Sequence, residues 1–168
     1  MAKNGFSMSN RVAPEELVGT ITATAADCGK VYVVETLTDN AQLNLPALAA
    51  AGNGWNCTVQ TARDPVGEKT VKIVSADANL VYGGVLAAPI SGVLGDNPIA
   101  QYFKSSGATT ITLSSGSAAS GADAGQGKGF MGSSIKITAC VMDGFTNVWT
   151  VEGNLGTSGS DGHTTPFS

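Results

Sequence analysis

The residues of this chain whose types suggest chemistry are three cysteines, one histidine, a glycine-rich motif and a scatter of carboxylates. Gly127-Lys128-Gly129-Phe130-Met131-Gly132 has the G-x-G-x-x-G spacing of a dinucleotide loop. That loop works when it joins a strand to a helix, because the helix N-terminus holds the pyrophosphate. Here a run of Gly, Ser and Ala precedes the motif and a β pattern follows it, so no helix dipole is expected at the phosphate position. A P-loop fails as well, since Lys128 is followed by Gly129 and not by Ser or Thr. Cys28, Cys57, Cys140 and His163 have the composition of a Cys3His zinc site, but such sites are built from closely spaced ligand pairs, and no C-x-x-C occurs. The expectation is reduced, buried thiols and no metal.

Nucleophilic and acid–base chemistry fare no better. There is no G-x-S-x-G elbow, and His163 lies in an unpatterned polar segment, a poor place for a general base. Glu15 and Glu16 are adjacent, while Asp123 and Asp161 fall in separate Gly-rich runs, so the carboxylates read as solvated charges. Asn56-Cys57-Thr58 spells a glycosylation acceptor, which matters only in a secreted chain. Together these readings give the expectation of a non-enzymatic protein with no cofactor.

Composition narrows the remaining classes. The formal net charge of −4, with basic residues scattered, argues against nucleic acid, because phosphate neutralisation needs clustered Lys and Arg. No apolar run is long enough for a membrane helix, and MAKNGFSMSNRVAPEEL lacks the apolar stretch of a signal peptide, so synthesis and retention in a cytoplasm are expected. Charged residues make up only 13% of the chain, about half the usual share, and 22 residues are Gly. A surface of small neutral polar groups costs little ionic desolvation to cover, which suits a chain that packs against other chains.

The elements that would position any site are strands. Apolar and polar residues alternate in most of 20–24, 31–37, 55–61, 70–74, 108–113, 134–141 and 147–151, which are rich in β-branched and aromatic types. In 134–141 the alternation assigns Ile135, Ile137, Ala139 and Val141 to the core, and a Gly-containing turn predicts a hairpin over 134–151. Pro46–Ala51 is the only helical candidate, one or two turns ending at Gly52. The fold class expected is all-β, a β-sandwich or jelly-roll-like domain at 19–152, with an N-terminal arm at 1–18, a Gly/Ser-rich loop at 114–132 and an extended C-terminal tail at 153–168. Tyr32, Trp55, Tyr82, Phe103 and Trp149, on alternating strand positions, read as core and not as a stacking platform.

Phe6, Phe130 and Phe167 are each isolated in a polar, unpatterned segment, the arrangement of an apolar anchor that docks into a neighbour. Leu17, in the arm, is placed with them as a partner contact. Val31–Trp55, with Leu43-Asn44-Leu45-Pro46 and Gly52-Asn53-Gly54-Trp55, and the closing Trp149-Thr150-Val151-Glu152-Gly153 resemble modules of tailed-bacteriophage virion proteins. The resemblance implies β-sandwich or jelly-roll units, commonly trimeric, that serve as capsid decoration (cement) proteins or in fibres and carry no catalytic residues. One compact unit flanked by an arm and a tail favours the decoration role. The partners expected are then the major capsid protein and the chain itself in a homotrimer, on the capsid surface of a virion assembled in the host cytoplasm, with neither nucleic acid nor membrane as partner. The alternative is a head-fibre, tail-fibre or spike module that binds a host receptor or carbohydrate.

Overall fold

A computed structural model describes residues 13–35, 37–62, 69–76, 81–89, 101–114, 130–141, 146–157 and 166–168. The described chain is mostly strand: β1 (Glu15–Glu16), β2 (Thr20–Thr22), β3 (Lys30–Val34), β4 (Ala41–Asn44), β5 (Asn56–Thr61), β6 (Thr70–Val74), β7 (Val81–Pro89), β8 (Gln101–Ala108), β9 (Thr110–Ser114), β10 (Phe130–Cys140) and β11 (Val148–Thr157). One short helix, α1 (Leu48–Ala51), and one 3-10 turn at Ala25–Asp27 complete it. The fold is all-β, as its alternating sequence requires.

The strands form a seven-stranded sheet in the order β1-β3-β5-β10-β11-β7-β8 and a four-stranded sheet in the order β2-β4-β6-β9. From β1 to β6 each strand lies in the opposite sheet from the one before it, so the chain winds as a flattened coil. Strands two apart in sequence therefore become parallel neighbours: β1 with β3, β3 with β5, β2 with β4, β4 with β6. Parallel neighbours need a crossover rather than a two-residue turn, and Asn53-Gly54, between β4 and β5, accordingly joins strands of different sheets and not a hairpin. The antiparallel hairpins β7–β8 and β10–β11 come later, and β11 joins β7 in parallel. The pairing is thus mixed, where a jelly roll is built of antiparallel strands.

Alternate residues of both sheets point inward. Ile135, Ile137 and Ala139 on β10, Leu43 on β4, Ile73 on β6 and Ile111 and Leu113 on β9 are all buried. Each fully buried Leu or Ile among them stabilises the fold by about 1.5–3 kcal/mol. Trp55 and Trp149 meet edge to face with ring centroids 5.5 Å apart, and the Trp55 indole donates to the Thr24 carbonyl at 3.1 Å. α1 turns the chain between β4 and β5; its Gly52 cap adopts φ +76, a conformation that glycine takes without cost.

Both ends of the domain depart from the sequence boundaries. β1 pairs with β3 within the expected arm, the Leu17 amide donates to the Val33 carbonyl at 2.8 Å, and the Leu17 side chain is fully buried. Leu17 is therefore a core residue of this chain and not a free partner contact, because its own domain removes its surface from water. β11 extends to Thr157, five residues into the expected tail, and Pro166–Ser168 return to pair with β9. Ser168 exchanges backbone hydrogen bonds with Thr110 at 2.8 and 3.0 Å, and Phe167 packs partly buried against the core. Strand β10 begins at Phe130, so the end of the expected loop is sheet, while 115–129 lie outside the described residues. Four further stretches are strand although the alternation did not single them out: β1, β4, β7 and β8.

Candidate interaction surface

The outer face of the large sheet is laid out by strand register. One row runs Gln60–Ser134–Asn154–Leu86–Tyr102 across β5, β10, β11, β7 and β8. A second runs Thr58–Lys136–Glu152–Gly84–Lys104, and a third Asn56–Thr138–Thr150–Tyr82–Ser106. Over β5, β10 and β11 the rows hold small or polar side chains. Lys136 meets Glu152 at 3.4 Å, the Thr150 hydroxyl donates to the Thr138 carbonyl at 3.2 Å, and the Asn154 amide donates to the Gly132 carbonyl at 3.2 Å.

At the β7–β8 border the character changes. Leu86 is 45% exposed and Tyr102, in register opposite it, is 63% exposed, with Tyr82 at 38% on the same face. The reading of Tyr82 as core is thereby corrected: Val81 and Val85 take the inward positions of β7, leaving Tyr82 on the outside. Tyr32, Trp55 and Trp149 are core as expected, and Phe103 has a side chain outside the described set. Sequence reasoning missed Leu86 and Tyr102. The signal for Tyr102 was available, since it shares a period-two face with Lys104 and Ser106, the pattern of an outward row.

The outer face of the small sheet is more uniformly polar, with rows Thr20–Gln42–Lys72–Thr112 and Thr22–Asn44–Val74–Thr110. Gln42 donates to Asn44 at 2.7 Å and Asn44 to the Thr22 hydroxyl at 3.2 Å, so these amides are partly engaged with one another.

Electrostatic structure concentrates where β1 meets β3. The Lys30 ammonium bridges Glu15 and Asp27, and its pKa is raised above the usual lysine range by hydrogen bonds to Glu15 first and Asp27 second. Asp27 accepts from the Thr24 amide and hydroxyl, both at 2.8 Å, and these bonds, the backbone one foremost, hold its carboxyl below its ordinary value. The cluster fastens β1 and the 3-10 turn to the rim of the large sheet. Lys30 also lies 5.6 Å from the centroid of the Tyr32 ring.

The cysteines are free thiols in three environments: Cys28 exposed, Cys57 fully buried and Cys140 intermediate. Only Cys57 fits the expectation of a buried thiol; Cys28 lies in the exposed turn after the 3-10 segment, and Cys140 points away from the core side of β10. Among the described residues no group of three or more His, Cys, Asp or Glu is placed to hold a metal. No helix of the described residues is long and apolar enough to cross a membrane. Of the four expected contact residues, Leu17 and Phe167 lie at different sheets, Phe130 opens β10 with its side chain outside the described set, and Phe6 lies outside the described residues. No family model matches the chain, and neither a curated protein nor a solved structure is significantly similar to it.

Proposed function

We propose that this chain is a structural virion protein that decorates and stabilises a bacteriophage capsid by binding neighbouring major capsid subunits. The observation that carries the reading is the outer face of the large sheet, a broad and mostly neutral polar field whose charges are the Lys136–Glu152 pair and Lys104, bordered by the exposed Tyr82, Leu86 and Tyr102. Such a surface suits protein contact, since aromatic anchors supply the binding energy and few charges must be stripped of water. A chain that binds the assembled shell and not its separated subunits stabilises the shell by its binding free energy, and symmetry multiplies each small contact. The homotrimer and the location on the capsid surface belong to the same reading.

The test is co-sedimentation of purified chain with tailed-phage shells that lack their own decoration protein, followed by heating. Saturable occupancy and a raised shell-disruption temperature are expected; absence of binding to such shells refutes the reading. A receptor- or carbohydrate-binding fibre module is the second reading, favoured by the exposure of Tyr82 and Tyr102, whose rings offer a sugar-stacking face. Specific glycan-array hits without shell binding would select it.

A further inference from the structure

The chain closes most of its own sheet edges. On the small sheet β2 is only the three residues Thr20–Thr22, and β9 is covered by Pro166–Ser168. On the large sheet β3 is covered by β1, itself two residues long. The remaining edge is β8, eight residues with no neighbour on its outer side among the described residues. A long bare edge presents a row of unpaired amide and carbonyl groups that templates another strand. Two further observations fall on this strand pair. Leu86 and Tyr102 form an exposed apolar pair in register, and Lys104, two residues along the same face, has no ion pair among the described residues; Lys72, on the small sheet, is likewise unpaired there, whereas Lys30, Lys69 and Lys136 each face a carboxylate.

We propose that β8 accepts an extended strand from a different protein chain, one bearing a carboxylate opposite Lys104 and an apolar side chain two residues away against Tyr102 and Leu86. Backbone hydrogen bonds along the edge supply affinity, and the alternating side chains supply the choice of partner. A second copy of this chain is the weaker occupant. Antiparallel pairing of two β8 strands about their centres brings two Lys104 ammonium groups close together, and like charges opposed across strands destabilise. The inference rests on the decoration reading only for the identity of the donor, a capsid subunit.

The probe is a fluorescent peptide, acetyl-Thr-Val-Thr-Glu-Thr-Val-Thr-amide, titrated into the full chain beside a twin with Lys in place of Glu. Amide hydrogen exchange is read by NMR. The Glu peptide is expected to bind roughly ten-fold more tightly than its twin and to slow exchange at amides within 101–108, and Lys104→Glu is expected to reverse the preference. Equal binding of the two peptides, protection on another strand, or no protection at millimolar peptide overturns the proposal. So does a peptide-free dimer that protects the same amides, because it makes a second copy the occupant. Shell binding is scored separately: chain that coats shells while its β8 amides still exchange freely overturns strand docking and leaves decoration standing. Peptide selectivity without shell binding does the reverse.

Discussion

Gly83 on β7 sits so close to the Val151 carbonyl of β11 that any side chain at this position would overlap that oxygen. Its φ of +119 is also one that L-residues rarely adopt. Gly153 repeats the arrangement one strand further in, against the carbonyl of Ser134. Gly83→Ala is therefore expected to destabilise by about 3 kcal/mol or more, well beyond the ~1 kcal/mol typical of point changes, because neither the clash nor the dihedral can be relieved locally. Urea unfolding checks this, and a loss below about 1 kcal/mol would mean that β7 shifts away from β11 at little cost.

Tyr32 carries the opposite sign. Its side chain is fully buried and its hydroxyl has no hydrogen-bond partner among the described residues. A buried unpaired hydroxyl costs about 1–3 kcal/mol, so Tyr32→Phe is expected to raise stability by about 1 kcal/mol while keeping the ring beneath Lys30. The denaturation midpoint should rise at unchanged slope. A fall would show that the hydroxyl is held by a bond.

Alkali should weaken the fold through two buried acids. Burial pushes the Cys57 thiol from 9.0 up to about 12, with the nearby Cys28 adding to the shift, and burial likewise pushes the Tyr32 phenol from 10.0 to about 12. Each holds its proton longer in the folded chain. Above pH 9 the unfolded chain thus binds fewer protons than the folded one, and stability falls as pH rises toward 12. Guanidinium midpoints measured from pH 7 to 11 should decline from about pH 9 in the wild type. In Cys57→Ala the onset should move about one unit higher, to where Tyr32 begins to titrate.

The N-terminal segment should divide at Pro14. Removing residues 1–12 leaves β1, Leu17 and the Glu15–Lys30 ion pair in place, and it tests the arm expected from the sequence: an arm that does not pack on the domain leaves the thermal midpoint unchanged. Leu17→Ala empties a fully buried position and is expected to cost about 2–5 kcal/mol. Differential scanning calorimetry of both proteins distinguishes a free arm ending near 12 from one that extends through 18. Shell binding lost on removal of 1–12 would assign the capsid contact to that segment.

The sequence carried the fold class and much of the core because period-two alternation is a local signal: β5, β6 and β10 lie where their apolar residues alternate, and Ile135, Ile137 and Ala139 point inward as assigned. What it hid is set by distant partners. β7 reads Val-Tyr-Gly-Gly-Val-Leu-Ala-Ala-Pro, with apolar residues on both faces, so nothing local distinguishes inward Val85 from outward Leu86; burial by the opposing sheet does. β1 is two acidic residues whose strand character comes from β3 and Lys30. Leu17 was misplaced for the same reason, since the groove that buries it exists only once β3 has formed. The exposed border suffered most, because the exposure of Tyr82 and Tyr102 depends on which side of a long-range sheet each occupies.

The order of strands in the large sheet has a further consequence for the time at which this surface comes into being. β7 has no hydrogen-bonded neighbour among β1 to β6; it joins the sheet through β11, the last strand in the chain. A nascent chain can wind its N-terminal coil as it emerges, yet the β7–β8 ribbon stays unanchored until Val148–Thr157 has been made. The border that carries Tyr82, Leu86 and Tyr102 thus joins the large sheet only after β11 has been made.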